Sequence, residues 1–135
     1  MRILLVEDDL LTAHNMATEI EAQGYHCDTT PSTSDALDLL RHTSYDVAIL
    51  DHYLQGETTL FLASHLRLRH PGTKIITITG SALFARGYGL NRLESDFFLR
   101  KPFAITDLVE IVTYLGTTST GDEADTLPLP RAAFS

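Results

Sequence analysis

Five short strand-like runs, RILLV (2–6), YHCDT (25–29), DVAIL (46–50), KIITI (74–78) and DFFLR (96–100), are separated by stretches long enough for a helix each. Strands that alternate with helices are joined by right-handed crossovers, which make neighbouring strands parallel and cover both faces of the sheet. Strands buried on both faces read as unbroken apolar runs, as ILLV and VAIL do here. The pattern therefore predicts an α/β domain, an open doubly wound five-stranded parallel sheet with helices on both faces. In such a sheet the ligand site lies beyond the carboxyl ends of the strands, near the point where strand order reverses.

The helices are read from spacing and stop signals. Leu10, Ala13, Ala17 and Ile20 share one face of a helix over Leu10 to Gln23, with Gly24 as its stop. Ser32 is placed to cap the next helix, with Asp35 three residues on. Leu60, Ala63 and Leu66 define a third, ended by Pro71-Gly72, and Leu108, Ile111, Val112 and Leu115 a last one that stops at Gly116. The segment between strands four and five carries Gly87 and Gly89 at helix-interior positions, which predicts a short or bent helix.

With 135 residues, the chain is expected to form one domain over 1–116, followed by a flexible tail over 117–135 that is rich in Thr, Asp, Glu and Pro. No effector domain is expected within that tail. The formal charge is -8, and the basic residues are too scattered for a nucleic-acid footprint, so direct nucleic-acid binding is not expected. Cys27 stands alone, which excludes an internal disulfide and a cysteine-rich zinc site; it reads as a small buried hydrophobe. The start, MRILLVEDD, is too short an apolar run for a membrane span, and a cytoplasmic, membrane-free protein is expected.

Polar residues stand at the carboxyl ends of the strands: Glu7-Asp8-Asp9 after the first, Asp51 after the third, Thr79-Gly80 after the fourth and Lys101-Pro102 after the fifth. If strands one and three are neighbours, Glu7, Asp8 and Asp51 emerge together, and three carboxylates so close call for a cation. Oxygen-only ligands suit Mg²⁺, with Asp8 and Asp51 binding directly, the Tyr53 backbone carbonyl as a third ligand and Glu7 acting through water. Lys101 brings a fixed positive charge and Thr79 a hydroxyl. A nucleophilic carboxylate, a metal and a lysine together suit phosphoryl transfer to Asp51. His52 adjoins Asp51 but should point to the other side of an extended chain. The remaining histidines, 14, 26, 42, 65 and 70, lack zinc-ligand spacing and read as surface residues.

VEDD after strand one, ILD after strand three, ITG after strand four and LRKPF after strand five together resemble the receiver domain of two-component response regulators. The resemblance implies a flavodoxin-like sheet of order 2-1-3-4-5. It also makes Glu7 and Asp8 the acidic pair, Asp51 the phosphoacceptor, Thr79 the switch hydroxyl and Lys101 the phosphate-contacting lysine. Phe98 takes the place of the aromatic that repacks on activation, Asp9 is a helix cap, and the Lys101-Pro102 bond is expected to be cis. The implied function is a stand-alone, phosphorylation-activated switch that is not a conventional enzyme. It would use Mg²⁺, take its phosphoryl group from a sensor histidine kinase or a histidine phosphotransfer protein, and exist as a monomer or a phosphorylation-dependent dimer. Two departures stand out: Gln55 replaces the proline common four residues after the acceptor, and bulky Tyr53 lies two after it, either shielding an acyl phosphate from water or simply exposed. Two other classes remain: a small Mg²⁺-dependent phosphohydrolase, which the absence of a second acid at Tyr53 disfavours, and a non-phosphorylated adaptor.

Overall fold

The computed structural model describes residues 1–80 and 95–118. The expectations for the Gly87/Gly89 segment and for most of the tail lie outside these residues. Strands β1 (Arg2–Val6), β2 (His26–Thr30), β3 (Val47–Asp51), β6 (Lys74–Thr79) and β7 (Phe97–Arg100) form one parallel sheet in the order β2-β1-β3-β6-β7. Counting only these five, the order is 2-1-3-4-5, the flavodoxin-like arrangement. The remaining strands, β4 (Tyr53–Leu54) and β5 (Glu57–Thr58), pair antiparallel as a small hairpin.

Successive residues of β1 and β3 point to opposite faces, and each face is buried by a different pair of helices. Ile3, Leu5, Val47 and Ile49 join Ile76 and Ile78 against α1 (Leu10–Glu21) and α4 (Ile105–Thr118). Leu4, Val6, Ala48 and Leu50 pack with Ile75 against α2 (Thr33–Leu40) and α3 (Leu60–Arg69). Burying a side chain such as Ile49 or Leu50 contributes about 1.5–3 kcal/mol. The apolar runs are thus continuous because both faces of the sheet are covered.

The helix faces agree with the spacing in α4, where Leu108, Ile111 and Val112 are wholly buried. In α1, Ala13, Ala17 and Ile20 are buried but Leu10 is 77% exposed, and Met16 fills the inward position instead. Leu10 is the first helical residue, before the axis has settled over the sheet. The Ser32 hydroxyl accepts from the Asp35 amide at 3.1 Å, as expected of a cap. By contrast α4 does not end at Gly116 but runs to Thr118. Gly116 sits there at a close approach rather than at a turn: a Cβ on it would lie 2.8 Å from the Tyr25 hydroxyl, the far end of a side chain that would have to shift.

Strand ends move by a residue from the sequence reading. β2 begins at His26, β7 at Phe97, and β3 continues through Asp51. Cys27 is buried, and burial pushes its thiol up to about 12, as a small hydrophobe requires. Among the described residues no helix is long and apolar enough to cross a membrane.

Candidate functional site

Register brings the acids together. Val6 of β1 lies opposite Leu50 of β3, so the next residues, Glu7 and Asp51, stand side by side at the carboxyl edge of the sheet. Both are buried, at 6% and 7% exposure, while Asp8 is half-buried. Lys101 follows β7, two strands away, and its ammonium donates to Asp51 Oδ2 at 2.9 Å across 50 residues of sequence. The Lys101-Pro102 peptide just beyond is cis, as expected. Glu7, Asp8, Asp51, Tyr53 and Lys101 line one cavity of about 360 Å³.

Backbone amides hold the carboxylates in place. The Tyr53 amide donates to Asp51 Oδ1 at 3.3 Å, and the Asp9 amide to Glu7 Oε2 at 3.4 Å. The Gln55 amide donates to Asp8 Oδ2 at 3.0 Å. That last bond depends on the hairpin, whose two turn residues Gln55 and Gly56 both take positive φ, 52° and 82°. Turns of this type match the twist of the strands they join, and glycine adopts the second position without strain. Asp9 sits at the N-cap of α1, but its side chain caps no backbone amide and instead accepts from the Thr12 hydroxyl at 2.7 Å.

Charge is crowded in this cavity. Burial, and then the neighbouring Asp51 carboxylate, push the Glu7 carboxyl up to about 7, against smaller opposing pulls from the Asp9 amide and Lys101. A site that holds back a carboxylate's ionisation in this way favours a bound cation, and every candidate donor is a hard oxygen. Among the described residues no three acidic or histidine side chains form a ready-made metal cluster. Four of the acidic oxygens are already engaged: Asp51 Oδ2 by Lys101, and Asp51 Oδ1, Glu7 Oε2 and Asp8 Oδ2 by backbone amides. The donor set suits Mg²⁺, with water and ligand oxygens completing the shell.

Thr79 and Phe98 stand outside the cavity lining. Thr79 ends β6 beside Lys101, whose amide donates to the Thr79 carbonyl at 2.7 Å. Its hydroxyl is fully buried and has no hydrogen-bond partner among the described residues. Phe98 is half-buried on the sheet face opposite Phe97, whose ring meets Tyr114 edge-on at 5.9 Å. His52 is buried, its ring 4.7 Å from that of Tyr53, and burial lowers its pKa although Asp51 pulls the other way. Tyr53 itself is 57% exposed. Of the other histidines, His65 and His70 are half-buried rather than on the surface, because the end of α3 packs their rings together at 5.8 Å.

Sequence reasoning missed the grip of the Gln55 amide on Asp8. The only signal present was a residue-Gly pair between YL and ET, which fits a two-residue hairpin turn. Strands of two residues are too short to announce themselves by alternation.

The family described as response regulator receiver domain matches residues 3–113. The two-component response regulator PhoP of Pseudomonas aeruginosa is 30% identical over 113 residues, covering 80% of this chain and 48% of that protein. The chain spans about half the length of several such curated relatives, among them the transcriptional regulatory protein PmrA of Pectobacterium parmentieri at 31% identity. Among solved structures, the response regulator protein TrrA of Thermotoga maritima, in complex with Mg²⁺-BeF, superposes with a TM-score of 0.73 at 30% identity, covering 84% of this chain and 97% of that one. The CheY-like receiver domain from Methylobacillus flagellatus gives a TM-score of 0.73 at 28% identity, covering 85% and 98%.

Proposed function

The chain belongs to the response regulator receiver domain family, and from that premise we propose that it is a signalling switch thrown by phosphorylation of Asp51. Lys101 Nζ at 2.9 Å from Asp51 Oδ2, joining the ends of two strands over one cavity, is the observation that carries this reading. The donor is a phosphohistidine on a sensor histidine kinase or a histidine phosphotransfer protein. An Asp51 oxygen forms the new O–P bond as the N–P bond breaks, and its electron pair leaves with the donor imidazole.

In such transfers the protein mostly positions groups and stabilises charge spread over the phosphoryl oxygens. Lys101 supplies fixed positive charge beside the acceptor. The Tyr53 and Asp9 amides keep Asp51 and Glu7 oriented. Asp8, Asp51 and the Tyr53 carbonyl, with Glu7 through water, would hold Mg²⁺, which neutralises phosphoryl oxygens when bound. Thr79 then donates its unpartnered hydroxyl to the new oxygens, and Phe98 fills the space it leaves. A local charge event thereby changes the surface formed by the last strand–helix units.

The protein catalyses only its own phosphorylation and dephosphorylation. It works in the cytoplasm, as a monomer or a phosphorylation-dependent dimer, and its output is protein contact or relay. Direct nucleic-acid contact by this chain is disfavoured by its charge of -8, whatever the transcriptional relatives do with the half that this chain does not span.

Incubation with Mg²⁺ and a small acyl phosphate tests the proposal by mass spectrometry. A single phosphate is expected on Asp51, absent in Asp51→Asn and strongly reduced in Lys101→Ala. Unchanged labelling of Asp51→Asn would refute it, and continuous phosphate release would mark a hydrolase instead.

A further inference from the structure

A second cavity, of about 410 Å³, lies between α2 and α3, on the sheet face away from α1 and α4. Its walls combine Leu40 and Phe61 with Arg41, His65, Arg69 and His70, and among the described residues no carboxylate lines it. Phe61 is 69% exposed for a ring of its size and lies against the His65 ring at 6.4 Å. Arg41 is tied only loosely, at 3.6 Å to Asp38, in an exposed pair worth little. A basic, partly aromatic groove on a chain of charge -8 is a local inversion of the overall field. It fits an acidic segment that also carries apolar side chains.

The chain contains such a segment. Beyond α4, Asp122, Glu123 and Asp125 precede Leu127 and Leu129, with no basic residue before Arg131. The geometry also brings the two ends close. Gly116 near the end of α4 lies against Tyr25 and Met1, at the amino ends of β2 and β1. Arg41 caps the end of α2, and His70 the end of α3, at the same edge of the sheet. Just beyond α3, the Thr73 hydroxyl donates to the carbonyl of Tyr45, which leads into β3. The nine residues from Ser119 to Leu127 reach up to about 30 Å when extended. Tethering gives such a segment an effective concentration of order mM, so that modest attraction suffices.

We propose that the α2–α3 groove is the docking site of the chain's own acidic segment, with Asp122, Glu123 and Asp125 on Arg41 and Arg69 and the following leucines on Leu40 and Phe61. The site lies away from the Asp51 cavity and does not depend on phosphorylation chemistry. A nitroxide at Ala132→Cys in the full chain tests it, because the buried Cys27 thiol, pushed up to about 12, will not take the label. Amides of Leu40, Phe61 and His65 should be paramagnetically broadened. Arg41→Glu with Arg69→Glu should abolish that broadening while amide dispersion elsewhere is kept, since both arginines are exposed. Adding Asp122→Lys, Glu123→Lys and Asp125→Lys to the same chain should restore it. Broadening that is absent, lies on another surface, or survives the arginine reversals would overturn the proposal and leave the groove to a separate acidic partner.

Discussion

The Thr79 hydroxyl is enclosed at the end of β6 with no acceptor among the described residues, next to Lys101 and Ile78, which line the acidic cavity. A buried hydroxyl without a partner costs about 1–3 kcal/mol, so it is a poor structural device and a good waiting donor. Thr79→Val keeps the shape and removes the donor. Its unfolding free energy in urea should equal or exceed that of the parent, by up to about 1 kcal/mol, while Asp51 still accepts phosphate and partner binding no longer responds. A loss of stability would show that the hydroxyl is satisfied in the resting state. Asp28 presents the opposite case, a carboxylate with too many partners to be casual. Burial alone would raise its pKa, but the Tyr45 hydroxyl at 2.6 Å, His26 at 2.8 Å and Arg2 at 3.7 Å bring it below the ordinary value. A carboxylate with a depressed native pKa stabilises the fold above its unfolded value near 3.8 and loses that contribution as pH falls through the native value. Acid titration of stability should therefore be shallower below about pH 4 in Tyr45→Phe than in the parent, and identical limbs would discount the Tyr45 bond. The sequence showed Thr79 as a strand-end hydroxyl, but not Asp28, because Tyr45 lies 17 residues away and only strand pairing brings it near.

Among elements, the five sheet strands and four described helices were legible because burial on both faces writes itself as continuous apolar runs and helical spacing. Their ends were less so, since a terminal residue such as Leu10 can be helical without facing the core. The β4–β5 hairpin left only the Gln55-Gly56 pair as a signal, and it is what binds Asp8. Gln55 is the point at which that hairpin can be broken. Proline there would need φ near -65° where the chain has 52°, and would remove the amide that donates to Asp8 Oδ2. Gln55→Pro should lose more than about 1 kcal/mol in urea unfolding. Gln55→Gly keeps both the amide and the positive φ and should stay close to the parent. Equal stability in the two variants would mean that the loop takes another conformation in solution.

At the scale of the whole molecule, the chain carries -8 overall and concentrates Glu7, Asp8 and Asp51 around one cavity at the carboxyl edge of the sheet. Lys101 offsets one of these charges, and burial, with the Asp51 carboxylate second, still pushes the Glu7 carboxyl up to about 7. This convergence was legible from sequence because the parallel order puts every strand's last residue on one edge. The hold that an amide already has on each acid could not be read, since amides carry no sequence signal. Salt of any kind should stabilise such a chain modestly by screening its surplus charge. A cation that binds the folded cavity adds RT ln(1 + [L]/Kd), about 2.7 kcal/mol at a hundredfold excess over Kd. Mg²⁺ should therefore raise the melting temperature beyond NaCl of matched ionic strength, and EDTA should reverse the difference. Asp8→Asn removes a proposed ligand and also one repelling charge. The variant should melt no lower than the parent without Mg²⁺ and should lose the Mg²⁺-specific increment. If the increment survives in Asp8→Asn, the cation binds elsewhere on the acidic surface, and the Mg²⁺ site proposed at Asp51 is refuted.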